Sequence, residues 1–519
     1  MTSSPPGPEG ARSTGFGGQG VLSTTCMTLA ALVATGLSAA RLVPSPQGDD
    51  HGTYASVAER LLGGDRLYTD VWDNKDPVFY YALALGRLVS PLADYAVEIL
   101  WALVACAAAW SLSRTAGLGR SRAALLAALT PVVLTGPAYV PGMTHLPGVA
   151  LTLGAVAAAV RRRWVLAGAV TAIILLTKIT LAPVAVVGLL TCAWHHRSVS
   201  GGVRAALGGL AALGTGIGVL TVRDELGGWV LNLRANLLYA DGELFSSRYG
   251  GPVGHLLRAF PEGSPRTALV VVVAVVAVVV LAGVPAWREQ APRSSDGTGA
   301  DLGVAPLLGW LVVSTLVASL VVLAATATWP HHGQTLGVPA VTALVLAATR
   351  LNTSVAHRTP GGARRGGTLA PLAAVLVTAY ALGGALHPTF YVQAARSAPR
   401  ALAALAHESP ASTALRSLPQ VRTYARAGSN DTSAHALGLR GLELACPRFH
   451  QYSIEPADIL DETATCLPSA DAIIVDDSLR PEEGAPDWNS YVARVRGLVA
   501  ASYDCLRSTG AQVCVRRAG

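Results

Sequence analysis

Between Gln47 and Tyr81 the chain reads QGDDHGTYASVAERLLGGDRLYTDVWDNKDPVFYY, which sets Asp49, Asp50, Asp70, Asp73, Asp76 and one lysine, Lys75, among aromatic residues and between two apolar segments. A carboxylate held within hydrogen-bond reach of a hydroxyl can take its proton. A nearby cation can steady charge that develops on a departing group. The adjacent Asp49 and Asp50 either raise one another's pKa or share a divalent cation, and both options stand at this point.

The middle of the stretch must position these groups. Tyr54, Val57, Ala58, Leu61 and Leu62 recur at helical spacing, Glu59 and Arg60 fall on the other face, and Gly63-Gly64 stop the turn. Such an amphipathic helix is expected to lie flat at a membrane surface. It would hold Asp49 and Asp50 just outside the bilayer and present Asp70, Asp73, Lys75 and Asp76 where the next apolar segment begins. The bland reading is a solvated acidic connection.

The residues also form a pattern: D-H-G-x-Y at Asp50 to Tyr54, A-x-x-L-L-x-G-x-x-L-Y at Ala58 to Tyr68, and D-x-W-D-N-K-x-P at Asp70 to Pro77. This resembles the first extracytoplasmic loop of the GT-C glycosyltransferases, in particular the branch of the dolichyl-phosphate-mannose protein mannosyltransferases and lipid A aminoarabinose transferases. The resemblance implies that Asp50 is the catalytic base, supported by Asp49, and that Lys75 helps hold a lipid phosphate, with Tyr54 and Asp73 beside the substrate. Two departures stand out: His51 where the family often has glutamate, and Asp76 where the first proline of Lys-Pro-Pro is common. The resemblance covers roughly the first two hundred residues.

Composition sets the class. Of 519 residues, 51% are hydrophobic and 14% charged, the mean hydropathy is +0.43, and apolar runs of membrane-spanning length recur along the chain. The expected fold is an all-α polytopic membrane protein, GT-C-like with about twelve spans, carrying a small C-terminal extracytoplasmic α/β domain. The net charge of +7 comes from arginines in short clusters between apolar runs, as cytoplasmic loops carry them, so no nucleic-acid partner is expected.

In chain order, residues 1–20 read as a disordered cytosolic tail, and GFGGQG within them has no strand or βαβ unit around it to make a nucleotide loop. Residues 21–386 read as the transmembrane catalytic domain, with 42–76 its first extracytoplasmic loop and 223–267 a second. Arg161 to Arg163, Arg197 with Arg204, Arg288 with Arg293, and Arg350 through Arg365 mark cytoplasmic turns. If all seven apolar stretches between 77 and 222 crossed, the 223–267 loop would fall on the wrong side. One must therefore fail to cross, either the short 77–91 segment or the pair meeting at Lys178.

Lys178 interrupts an apolar run, where a lysine must snorkel or face a polar cavity; the family resemblance implies a structural or donor-facing role, and it is counted among the substrate-binding candidates. His145 lies in the proline-rich break GPAYVPGMTHLP, most simply as a helix-end histidine. In the second loop, Arg248 and then Arg234 are the arginines suited to gripping a phosphate. Trp329-Pro330-His331-His332 resembles a late outer element of the same transferases, which implies His331 and His332 near the donor headgroup or phosphate; the alternative is that the tryptophan and histidines are interfacial anchors. No metal site is expected: the histidines lack a third ligand at useful spacing. A divalent cation at the Asp49–Asp50 pair is the one cofactor the sequence leaves open.

Residues 387–519 read as a soluble extracytoplasmic domain, with a helical stretch at Ala394 to Leu405, a strand at Ala472 to Val475, a strand-end acidic turn at Asp476-Asp477, a helix at Trp488 to Tyr503 and a sequon at Asn430. Its four cysteines, Cys446, Cys466, Cys505 and Cys514, suit disulfides in an oxidising compartment. The reading implied is a multi-pass plasma-membrane enzyme with its site and C-terminal domain outside. It would move a sugar from a polyprenyl-phosphate donor to a cell-envelope glycan, lipid or protein acceptor by inverting displacement. A lipid or sugar transporter or flippase, and a non-catalytic scaffold presenting the C-terminal domain, are the competing readings.

Overall fold

The computed structural model describes residues 25, 50–90, 93–134, 142–241, 304–325, 330–356, 396, 410–428, 441–449, 451, 457–508 and 511–517. The described residues form fourteen α-helices and a five-stranded sheet. The helices are α1 Asp50–Leu62, α2 Pro77–Arg87, α3 Ala93–Thr115, α4 Arg120–Leu134, α5 His145–Val160, α6 Trp164–Leu175, α7 Ala182–His195, α8 Val199–Val222, α9 Leu226–Asp241, α10 Val304–Ala325, α11 Gly337–Ala356, α12 Pro410–Arg416, α13 Ala457–Cys466 and α14 Pro486–Ser502. Ala96–Thr115, Val199–Val222 and Val304–Ala325 are long and apolar enough to cross a membrane, and the chain is an integral membrane protein. The Asn430 sequon and nearly all of Ala394 to Leu405 lie outside the described residues.

Contacts at the helix ends give the helices α3 to α8 alternating directions. At one end, Arg161 donates to Ser111 at 3.2 Å, the Trp164 ring meets His196 at 6.0 Å, and Arg122 reaches Asn352. At the other, the Val78 amide donates to the Leu176 carbonyl at 2.8 Å, Gln334 donates to the Leu134 carbonyl at 3.2 Å, and His145 faces His332 at 4.9 Å. The first end collects arginines; the second collects the 63–76 loop, the Lys178 break, the Arg223–Leu226 turn and the Pro330–Leu336 turn.

This arrangement resolves the parity problem. Helix α2 has eleven residues, about 16 Å at 1.5 Å per residue, against a hydrocarbon core of about 30 Å. Its last residue, Arg87, pairs with Glu59 of α1 and Asp94 at the start of α3, so the chain has not left the loop end when α3 begins. Helix α2 is too short to span the hydrocarbon core by itself. The pair meeting at Lys178 is a hairpin, α6 approaching the loop end and α7 leaving it, and α8 returns the chain there.

Helix α1 corrects an expectation. It begins and stops as the pattern requires, Gly64 taking the left-handed conformation at φ +101, but it does not lie on a surface with Glu59 and Arg60 turned outward. Glu59 is buried against Arg87 at 2.9 Å, and Arg60 binds Asp65 at 2.5 Å and the Leu442 carbonyl at 2.7 Å. A helical wheel places a charge on the polar face; here tertiary partners on α2, α3 and the C-terminal part cover that face.

What covers it is the sheet, with strands β1 Thr423–Ala427, β2 Glu443–Leu444, β3 Ala472–Asp476, β4 Tyr503–Ser508 and β5 Ala511–Arg516 in the order β2-β1-β3-β5-β4. β1 runs parallel to β2 and β3, while β5 is antiparallel to β3 and β4. Alternate residues serve two cores, as the two-residue period of a strand demands. Tyr424, Ala472, Ile474 and Val513 join Tyr54, Val57, Leu67 and Tyr80, while Ala425, Ile473 and Cys514 join Trp488, Tyr491 and Leu460 of α13 and α14. The sheet is sandwiched between those helices and the first loop. The cysteines pair as Cys446–Cys466 and Cys505–Cys514, and Asp476 closes the strand-end turn by accepting the Ser478 amide at 2.6 Å.

Candidate functional site

The loop after α1 is held by a dense set of polar contacts. Tyr68 takes φ +65, its amide donates to the Val71 carbonyl at 2.7 Å, and its hydroxyl donates to the Lys75 carbonyl at 2.6 Å. Gly228 of α9 lies so close that an added Cβ would stand 2.5 Å from the Tyr68 Cβ. Buried Glu225 accepts from the Leu67 amide at 3.0 Å, from Arg223 at 2.9 Å and from the Tyr81 hydroxyl. From the sheet side, the Pro447 carbonyl accepts the Trp72 amide at 2.8 Å, and the Arg448 guanidinium stacks 3.8 Å above the Trp72 ring.

These contacts present Lys75. Its ammonium lies 5.4 Å from the centre of the Tyr54 ring and donates to the Asn74 side chain. Tyr54 packs edge-on against Phe79 at 5.2 Å and Tyr80 at 6.0 Å, and Asp73 accepts the Tyr80 hydroxyl. Both Tyr54 and Asp73 are buried. The two residues expected beside substrate therefore form the floor under Lys75.

Asp76, where the resembling family has proline, is buried at 5% exposure. One carboxylate oxygen accepts the Ile179 amide at 3.0 Å, in the break between α6 and α7 that Lys178 opens with an extended φ of −158. The chain has only two lysines among its 39 basic residues, Lys75 and Lys178, and the charges of both reach Asp76. Burial outweighs them and pushes the Asp76 carboxyl above its ordinary range, against the Ile179 N–H, Lys178, the Trp229 indole and Lys75, which favour the ionised form. The folded state thus holds this proton more tightly than the unfolded chain does, so stability falls as pH rises from the unfolded value of about 4 through the higher folded value. Asp76→Asn is expected to remove that fall, so that its thermal midpoint gains on the wild type with increasing pH; parallel melting curves across pH check it.

The remaining sequence candidates divide by position. Asp50 is the first residue of α1, at the same end of the bundle; its side chain, like Asp49 and Arg248, lies outside the described residues. His145 opens α5, and Gly148 one turn later packs against Lys178, where an added Cβ would lie 3.1 Å from the Lys178 Cβ. His145 and His332 therefore share the loop end with the lysines, while the His331 side chain lies outside the description. Arg234 is exposed on α9 and is not brought to Lys75. Among the described residues no three His, Cys, Asp or Glu side chains gather to hold a metal.

Sequence reasoning missed α9 altogether, reading 223–267 as a loop. Its Asn236 donates to the Asn74 carbonyl at 2.8 Å, and Trp229 lies beside Asp76. The scarcity of lysine was an available signal: a chain that uses arginine almost everywhere keeps lysine where a compact ammonium is needed. An apolar cavity of about 450 Å³ opens between α6, α7 and α8, from Trp164 to Leu175 and Leu213, its upper end three residues from Lys178.

No protein-family model and no curated protein matches the chain. Among solved structures it is similar to ArnT from Cupriavidus metallidurans bound to undecaprenyl phosphate, at a TM-score of 0.49 and 15% identity over 97% of this chain and 99% of that one. It is also similar to the archaeal oligosaccharyltransferase AglB from Archaeoglobus fulgidus in complex with an inhibitory peptide and a dolichol-phosphate, at a TM-score of 0.46 and 11% identity over 95% of this chain and 74% of that one.

Proposed function

We propose that the chain is a membrane glycosyltransferase that moves a sugar from a polyprenyl-phosphate donor to a hydroxyl of a cell-envelope glycan, lipid or protein acceptor. The observation that carries this reading is the Asp76–Ile179 hydrogen bond at 3.0 Å, which joins the segment of Lys75 to that of Lys178 at the loop end beside α1, the helix that carries the motif carboxylate. In the proposed step the acceptor oxygen attacks the anomeric carbon from the face opposite the phosphate. The bond from that carbon to the phosphate oxygen breaks, and polyprenyl phosphate leaves. Asp50 takes the acceptor proton, and Lys75 with Lys178 neutralises the departing phosphate. Inversion at the anomeric carbon follows from a single displacement. No step requires a metal, and a divalent cation at Asp49 and Asp50 would be an addition to this scheme.

The polyprenyl tail would lie in the apolar cavity between α6, α7 and α8, whose lining includes Leu175. The arginines gathered at the other end of the bundle favour a cytoplasmic location for that end, which supports a site and C-terminal sheet outside the cell. Lys75→Met and Lys178→Met are each expected to weaken inhibition by free polyprenyl phosphate by about 10- to 100-fold, the effect of a lost charge-assisted contact. The test is inhibitor titration of sugar transfer in lipid. Unchanged inhibition in both variants would remove the lysines from the donor site.

A further inference from the structure

Helix α9 carries a strip of three polar or aromatic residues at helical spacing, Trp229, Asn232 and Asn236. The strip runs along the Asn74–Asp76 segment: Asn236 binds the Asn74 carbonyl at 2.8 Å at one end, and the Trp229 indole favours the Asp76 carboxylate at the other. Asn232 lies between them. It is 0% exposed, yet neither its amide nitrogen nor its carbonyl oxygen has a hydrogen-bond partner among the described residues. The Trp229 indole nitrogen and the second Asp76 oxygen also lack one of normal geometry.

Buried polar atoms are nearly always paired, and each exception costs about 1–3 kcal/mol. Asn232 thus leaves both a donor and an acceptor open in a row that Asn236 and Trp229 tie to the Asn74–Asp76 segment, which carries Lys75. An amide offers both a donor and an acceptor, an indole N–H donates, and a carboxylate accepts. That set complements hydroxyl groups on a ring, each of which donates and accepts, and it does not complement a phosphate, which only accepts at neutral pH.

We infer that Asn232, with Trp229 and Asp76, binds the sugar ring of the donor whose phosphate stands at Lys75, and that Asn232 selects the sugar by its hydroxyl pattern. This rests on the glycosyltransferase reading above. A site made to hydrogen-bond a hydroxyl rejects an analogue lacking it far more strongly than an apolar pocket would, because its own polar atoms are then left open.

The test uses the full-length protein in lipid, a set of synthetic polyprenyl-phosphate pentoses and hexoses with their monodeoxy analogues, and polyprenyl phosphate without sugar. For the best donor, Asn232→Leu is expected to lower kcat/KM by about 10- to 100-fold and to flatten discrimination against one monodeoxy analogue. Inhibition by sugarless polyprenyl phosphate stays at the wild-type level. Because leucine of similar volume removes an unsatisfied buried amide, the thermal midpoint stays level or rises. Trp229→Phe, which keeps the ring and removes the N–H, is expected to change donor preference in the same direction. The inference is overturned if Asn232→Leu transfers normally, if it loses sugarless lipid and donor equally, or if it melts markedly lower, since the amide would then be satisfied by water or by structure alone. A wild-type protein that turns over none of the donors would instead overturn the glycosyltransferase reading itself.

Discussion

Asp50→Asn is expected to lower sugar transfer by about 10²- to 10⁴-fold, the range of a lost general base, with insertion, solubility in detergent and thermal midpoint close to wild type. The amide has nearly the shape of the carboxylate and cannot take a proton. Asp50 belongs to α1. The body of that helix is fixed by Tyr54, Val57 and Ala58 in the core shared with the sheet, so the substitution leaves the scaffold in place. Donor affinity should change little, because the phosphate is assigned to Lys75 and Lys178. Mass-spectrometric quantification of product under donor saturation reads the effect. Product formed at the wild-type rate would move the balance to the transporter or scaffold readings.

Arg87→Met is expected to destabilise the protein by about 3–5 kcal/mol, the cost of breaking a buried ion pair from one side. The Arg87 guanidinium donates to Glu59 at 2.9 Å and to Asp94 at 2.5 Å, with side-chain exposures of 0%, 0% and 3%. Removing the cation strands two carboxylates inside the junction of α1, α2 and α3. The fully apolar triple variant Glu59→Leu, Arg87→Met, Asp94→Leu should recover much of the loss, since burying an ion pair gains little over good packing. Unfolding followed by tryptophan fluorescence separates the two. Activity should fall with Arg87→Met as well, because α1 carries Asp50 and its registration against α2 depends on this pair. A melting curve for Arg87→Met superimposable on the wild type would contradict the burial of the triad.

Much of this architecture is legible in the chain because local signals suffice for it. The helix at Asp50, its stop at Gly63-Gly64, the strand at Ala472, the helix near Trp488 and the extramembrane cysteines each announce themselves within a few residues. Charge parity implies that one stretch fails to cross, and α2, with eleven residues, is too short to span by itself. The fate of Glu59 was not legible: its spacing assigns it to the polar face, and only the arrival of Arg87 and the sheet converts that face into a core. The burial of Tyr54 and Asp73 was not legible either, because a motif reports proximity to a site without the direction of each side chain. Trp229 and Asn232 escape notice because the charged and aromatic residues around them make 223–267 read as a loop, in which helical spacing carries no meaning. Glu225, which ties α9 to Leu67, Tyr81 and Arg223, is a lone acid in sequence and a junction in space.

The central claim is that a lysine pair beside the Asp50 helix receives a polyprenyl-phosphate sugar. Incubating the purified full-length protein in lipid with a panel of isotopically labelled polyprenyl-phosphate sugars and an extract of envelope acceptors, then quantifying free polyprenyl phosphate, tests it most directly. At least one donor should release polyprenyl phosphate with matching transfer of label to an acceptor, and that release should be lost in Asp50→Asn and diminished in Lys75→Met. Intact donor across the whole panel, or release that is indifferent to both substitutions, would contradict it.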